Sequence, residues 1–232
     1  MRGCLSVLII AAAFLTGIVW FGGPPLAATV VEATLTSSGF AADDLEVTVR
    51  SDPPLTLAVG RADRVTVEGS NVRWNDLRAE SMSMSLAGVD LLRRTAVSAD
   101  GFLENVEFNA GEGQPTVGSV TFAGPAAAAD ATVIVDIATV QRLAFAAFER
   151  EFGSKPEDVT LHGPNVVRVQ TAVGSLDGTL EVASGALVIR SGLGTIVIVE
   201  SSPTMPITLT GVSIRGGGLE LTGTIDLLSL LD

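Results

Sequence analysis

The sequence predicts an α+β fold: a long, strongly twisted antiparallel β-sheet curled around one main helix, after an N-terminal membrane segment. Three observations carry this expectation. Period-two alternation recurs from Asp44 almost to the C-terminus, helix periodicity is convincing only over Ile137 to Phe152, and Leu5 to Phe21 is apolar without a charge. The composition agrees, since 47% of residues are apolar while only 5% are aromatic and there is no Tyr. The apolar content is thus mostly Ala, Val, Leu and Ile, which suits β packing or a bilayer.

Taken in order, Met1 to Phe21 reads as a membrane-targeting segment. Its run Leu5 to Phe21 would span ~25 Å as a helix at 1.5 Å per residue, enough for most of a bilayer core. The residues that follow, GGPPLAA, lack a clean small-residue cleavage site, so a retained signal anchor is favoured and a cleaved signal peptide is the alternative. Arg2 precedes the run and no basic residue follows until Arg50, which places the body on the extracytoplasmic side of the cytoplasmic membrane. Residues 1–28 form this segment and a short linker, and 29–232 form a single body.

Within the body, Ala27 to Ser37 reads as a short helix opened by Pro24 and Pro25, with Thr and Val weakening it. DLEVTVR, Asp44 to Arg50, is a half-buried strand that Pro53-Pro54 ends. Arg64 to Glu68 and Asn71 to Trp74 alternate on either side of Gly69-Ser70, a turn or bulge. Met82, Met84 and Leu86 alternate with Ser81, Ser83 and Ser85, giving one apolar, soft face and one hydroxylated face. Further strands are expected at Glu104–Asn109, Thr116–Phe122 and Ala131–Asp136, with GPAAAAD as a short linker between the last two.

The helix Ile137 to Phe152 has Asp136 as N-cap, Gly153 at the C-cap and an apolar stripe through Ile137, Val140, Ala144, Phe148 and Phe152. Beyond it, Gly-rich turns such as SGLG and RGGG separate seven strand-like runs, so hairpins are expected rather than βαβ crossovers.

Composition also excludes function classes. A net charge of −12 leaves no basic surface for sequence-independent nucleic-acid binding. One Cys and one His, Cys4 and His162, cannot make a disulfide framework or a His/Cys zinc site. His162 lies in a strand-like run without a nucleophile motif and reads as a sheet-surface or turn histidine, so no enzyme, cofactor or metal is expected.

The run PPLTLAVGRADRVTVEGSNVRWNDLRAESMSMSLAGVDL, the C-terminal PITLTGVSIRGGGLELTGTIDL and the middle DATVIVDIATVQRLAFAAFER resemble the LmeA-like phospholipid-binding family. Pro53-Pro54-Leu55 departs from that family's usual Pro-Phe-Leu. The resemblance implies an exported, envelope-associated protein that binds phospholipid or a lipid intermediate without catalysis. On that expectation Met82, Met84 and Leu86, with Leu143, Phe145, Phe148 and Phe152 of the helix, are candidates for a lipid groove; plain core packing is the alternative. Arg93 and Arg94 are candidate headgroup contacts, against a solvated turn. The competing function is a structural envelope module that docks a protein partner.

Overall fold

Strands of up to fourteen residues, Arg61–Trp74 and Leu77–Asp90, set the dimensions of the molecule. The computed structural model describes residues 23–74, 77–108, 116–200, 207–215 and 218–228. The expected membrane segment lies outside them, and no helix among the described residues is long and apolar enough to cross a membrane.

Two antiparallel sheets form. The larger has eight strands, β1 (Phe40–Arg50), β2 (Arg61–Trp74), β3 (Leu77–Asp90), β4 (Ser98–Phe108), β5 (Thr116–Pro125), β6 (Ala129–Asp136), β13 (Gly218–Ile225) and β12 (Ile207–Arg215), in that spatial order. The smaller is a meander of β7 (Asp158–His162), β8 (Val166–Thr171), β9 (Gly174–Ala183), β10 (Ala186–Ser191) and β11 (Gly194–Val199). The expectation of one sheet curled around the helix is therefore corrected. Helix α2, Ile137–Phe152, packs on β7 and β11 of the small sheet and on β6 and β13 of the large one. Strands β7 to β11 pair among themselves, because consecutive hairpins satisfy their backbone groups locally, while β12 and β13 return to the large sheet on β6.

Helix α1 occupies 23–37, starting ahead of the body boundary set from sequence. Its threonines do not break it, because the hydroxyls of Thr29, Thr34 and Thr36 donate to the carbonyls four residues earlier, at 2.9–3.1 Å. Ala27, Ala28, Val31 and Leu35 face Val47, Val49, Val65 and Val67 of the large sheet. The Pro53-Pro54 break becomes a 3-10 helix, Pro54–Val59, which ends at Gly60 with φ +75°. Of the two readings of Gly69-Ser70, a turn or a bulge, the structure takes the second: an irregularity within one continuous strand.

The apolar face of the large sheet is kept continuous by a reversal of side-chain alternation in each of its first five strands. In β1 the inward residues are Phe40 and Ala42, then Leu45, Val47 and Val49; in β2 they are Val72 and Trp74 on one side, Val65 and Val67 on the other. The reversals are aligned, since Asp43 faces Ser70, Ser70 faces Ser81, Ser81 faces Glu104 and Glu104 faces Ser119. Asp44, Asn71 and Asn105 take the left-handed conformation at φ +51°, +48° and +48°, and β5 slips its register around Gly118. Asx residues tolerate that region best after Gly. The Asn amides are also held, Asn71 donating to Asp43 at 3.0 Å and Asn105 to Glu80.

Two predictions follow from these caps and bends. Asn105→Val should cost about 1–3 kcal/mol in urea unfolding, through the strained φ and the lost amide bond, and Asn105→Gly should cost less. Asp136 accepts the Thr139 backbone N–H at 2.9 Å, so Asp136→Ala should cost about 1 kcal/mol. Burial opposes ionisation of Asp136, but hydrogen bonds from the Thr139 hydroxyl and backbone and the nearby Arg142 outweigh it and hold the carboxyl below its ordinary 3.8. A depressed folded value stabilises above the unfolded value, so the difference between wild type and Asp136→Ala should be full near neutrality and shrink as pH falls below 3.8.

Candidate functional site

Met82, Met84 and Leu86 lie side by side on the inner face of β3, immediately beyond the reversal at Glu80-Ser81. Cross-strand pairing extends each into a row. Met82 is followed across the sheet by Leu103, Val120, Val133 and Leu221, and Met84 by Gly101, Phe122, Ala131 and Gly223. The second row is lined by small residues between Met84 and Leu209, with the Phe122 ring lying over Gly101. A Cβ at Gly101 would stand 2.7 Å from Phe122 Cζ and 2.5 Å from the Ser83 carbonyl oxygen, so only Gly fits there.

The apolar interior divides into three clusters, and these residues sit where the clusters meet. One lies between the large sheet, α2 and the small sheet; one under α1; and one at the lower end of the large sheet around Ala99, Phe122, Ala129 and Leu227. Met82 packs against the first and the α1 cluster, Met84 and Leu86 against the α1 cluster and the lower one, and Leu103 and Ile207 against the first and the lower one. All five are half-buried. The result is a seam of aliphatic and thioether surface running along the inner face between α1 and the Ile207 end of β12. Unbranched thioethers suit such a surface because they adapt to irregular apolar shapes.

The helix aromatics are elsewhere. Phe148 is buried and Leu143 and Phe145 are half-buried, all against the cluster between the sheets. Phe152, 38% exposed, stacks on Phe148 at 4.5 Å between centroids. Neither the lower cluster nor the α1 cluster contains an α2 residue, so Met82 alone of the β3 trio meets the core that the helix aromatics build. Phe145 lines a separate recess of about 380 Å³ with Gln141, Arg142, Glu157 and Asp158, and Lys155 Nζ lies 5.7 Å from the centroid of its ring. The structure thus divides the seven sequence-selected apolar residues into a strand trio on the seam and a helix quartet on the core side.

Arg93 and Arg94 occupy the β3–β4 turn and are exposed. Asp90 organises this turn, accepting the N–H groups of Leu92 and Arg93 at 3.1 and 3.0 Å and standing 3.9 Å from the Arg93 guanidinium. Leu103, Ile207 and Leu209 are seam residues that sequence reasoning did not select. Leu103 follows the small residues Ala99 and Gly101, which give a weak apolar pattern, and Ile207 joins the seam only through its pairing with Ile225.

His162 is exposed at the end of the edge strand β7. Among the described residues no group of three or more His, Cys, Asp or Glu is gathered as a metal site. Chemically the seam can shelter acyl chains: it offers apolar contact, while the hydroxyls of Ser81 and Ser83 are engaged by Glu104 and Glu68.

No curated protein and no solved structure gives a significant match to this chain. The family described as LmeA-like phospholipid-binding matches residues 19–224, a span that includes the seam, both sheets and α2. That span covers most of the sequence, and the chain belongs to the LmeA-like phospholipid-binding family.

Proposed function

We propose that this protein binds phospholipid or a lipid intermediate along the β3 seam, without catalysis, at the extracytoplasmic face of the cytoplasmic membrane in cell-envelope biogenesis. The observation that carries the reading is the half-buried apolar strip of Met82, Met84, Leu86, Leu103 and Ile207 on an open sheet. A soluble fold ordinarily covers such a strip, and a lipid carrier must leave one available. Moving one acyl chain of ~16 carbons into water costs on the order of 13 kcal/mol at about 0.8 kcal/mol per CH₂, so even a partly sheltering seam stabilises a bound lipid. The apolar, uncharged run Leu5 to Phe21, with Arg2 before it and no basic residue after it until Arg50, supports the location.

The direct test is lipid extraction and mass spectrometry of the purified protein, with phospholipid expected in stoichiometric amounts. A protein that emerges lipid-free and takes none up from liposomes overturns the reading. Met84→Glu, which sets a charge on the seam, should lower lipid occupancy at least ~10-fold, a loss of about 1.4 kcal/mol or more. Met84→Leu should retain it. Phe148→Ala should behave oppositely, costing about 3–5 kcal/mol of stability by opening a core cavity, with lipid per folded molecule unchanged. Loss of lipid with Phe148→Ala at full folding would move the site to the helix.

A further inference from the structure

Five of the eleven large hydrophobic residues that are exposed among the described residues gather at one end of the large sheet: Leu26, Leu55, Val59, Leu92 and Val97. They come from three segments brought together there, α1, the 3-10 helix Pro54–Val59 and the β3–β4 connection. The contacts are explicit. A Cβ on Gly60 would meet Leu92 at 2.5 Å and one on Gly88 would meet Val97 at 2.7 Å, while the Leu91 N–H donates to the Gly60 carbonyl at 2.7 Å and Gly23 of α1 adjoins Leu57. Leu92 is 78% exposed and Val97 73%, in a turn region where solvated proteins ordinarily place polar residues.

The same end is the basic part of an acidic chain. Arg50, Arg61, Arg64, Arg93 and Arg94 are all exposed there, in a protein of net charge −12. Arg50 and Arg64 are directly opposed across β1 and β2, a like-charge pairing that disfavours the sheet unless an anion lies against it. Asp63 accepts the Asp52 N–H at 2.6 Å; Asp90 accepts two N–H groups of its own turn and stands 3.9 Å from the Arg93 guanidinium, and Glu46 and Glu68 line one recess with Arg50. Long guanidinium arms around an aliphatic centre fit a bilayer surface, with the apolar tips below the phosphates and the guanidinium groups among them.

Two further points select a bilayer rather than a protein as the occupant. The uncharged run Leu5 to Phe21 ends two residues before α1 begins at residue 23, and the first residue of α1 touches this end of the sheet. Leu57 and Leu91 of this end also share a cluster with Met84 and Leu86, so the aliphatic patch is continuous with the seam. We infer that this end of the large sheet is a membrane-docking face, inserting Leu55, Val59 and Leu92 between phospholipids while Arg61, Arg93 and Arg94 contact their phosphates, and that it opens the seam onto the bilayer. The inference rests on the lipid-binding reading for the role of the seam, but the docking itself does not.

The experiment uses the full chain in a Cys4→Ser background, with single cysteines carrying an environment-sensitive dye at Val59→Cys, Leu92→Cys or Val173→Cys. Val173 is 99% exposed at the β8–β9 hairpin of the other sheet and serves as the comparison. The protein is reconstituted into phosphatidylcholine–phosphatidylglycerol vesicles with or without spin-labelled lipid. Blue-shifted emission and quenching by the labelled lipid are expected at 59 and 92 and not at 173. Unquenched dyes at 59 and 92, or equal quenching at all three positions, overturn the docking face; a shift at 59 and 92 only when native membrane proteins are present assigns it to a protein partner and overturns it too. Replacing Arg93 and Arg94 together by Glu should reduce the quenching at 92, and unchanged quenching removes the arginines from the contact. Copurified lipid measured on the same samples separates the readings, since lipid that persists while the dyes stay unquenched defeats the docking face alone.

Discussion

The reversal of side-chain alternation across the first five strands is the constraint on which the rest of this structure depends. A strand of fourteen residues with an uninterrupted period of two keeps one face throughout, and a strongly twisted sheet turns that face away from any single covering element. Here the polar pairs Asp43-Asp44, Ser70-Asn71, Glu80-Ser81 and Glu104-Asn105 shift the phase by one residue, and they do so in register. Each strand then has two apolar half-faces. On one side of the line Phe40, Val72, Ala79 and Val106 meet the small sheet and α2; on the other Val47, Val49, Val65 and Val67 meet α1. Slipping one strand by a residue would expose both halves of its apolar set at once.

This division explains why apolar surface is left half-covered along Met82, Met84 and Leu86. The two covers are different objects, a helix-backed meander and a single helix, and they meet at the row just beyond the reversals while leaving it half-buried. Leu35, Leu45 and Met82 each pack against both the α1 cluster and the cluster between the sheets, which marks that row as the boundary. The end that carries the β3–β4 connection is covered on its β5–β6 side by Ala126 and Leu227, the Ala126 N–H donating to the Val97 carbonyl at 3.2 Å and the Leu227 N–H to the Ala126 carbonyl at 3.0 Å. The seam is thus a consequence of the topology and not of any one residue. The thioethers adapt the surface that the topology leaves open.

Much of this was legible in residues with one dominant physical role. Asp136 and Gly153 mark α2 because a cap needs an acceptor at one end and a left-handed residue at the other, and both are realised, Gly153 at φ +64°. The Met82-Met84-Leu86 alternation marks an inner strand face for the same local reason. What was not legible is long-range. The polar pairs at 43–44 and 104–105 read as strand ends and the break at 69–70 as a turn or bulge, since nothing local distinguishes a phase reversal inside a strand from the end of one. The partition into two sheets was likewise hidden, because an alternating strand shows that one face is covered without showing by what. The helix quartet Leu143, Phe145, Phe148 and Phe152 was grouped with the methionines on hydrophobicity alone, and the topology sets it in the core on the far side of the seam.

The distribution of charge completes the argument. Most of the outward face is hydroxyls and carboxylates, with cross-strand pairs such as Arg168 and Asp177 on the small sheet; the guanidinium, hydrogen-bonded to Asp177 at 2.7 and 3.0 Å, holds that carboxyl below its ordinary value. Such pairs consume arginine locally and leave a surface that gains little from phosphate. At the end formed by Arg50, Arg61, Arg64, Arg93 and Arg94 the arrangement is different, because Arg faces Arg across β1 and β2, Asp63 serves a backbone N–H and Asp90 is shared between its own turn and Arg93. Salt screens the overall charge of −12 from an anionic bilayer beyond a Debye length of about 8 Å, so at contact the charge of the facing surface decides and approach must be oriented to be favourable. An acidic body with one arginine-rich apolar end meets that condition in a single orientation.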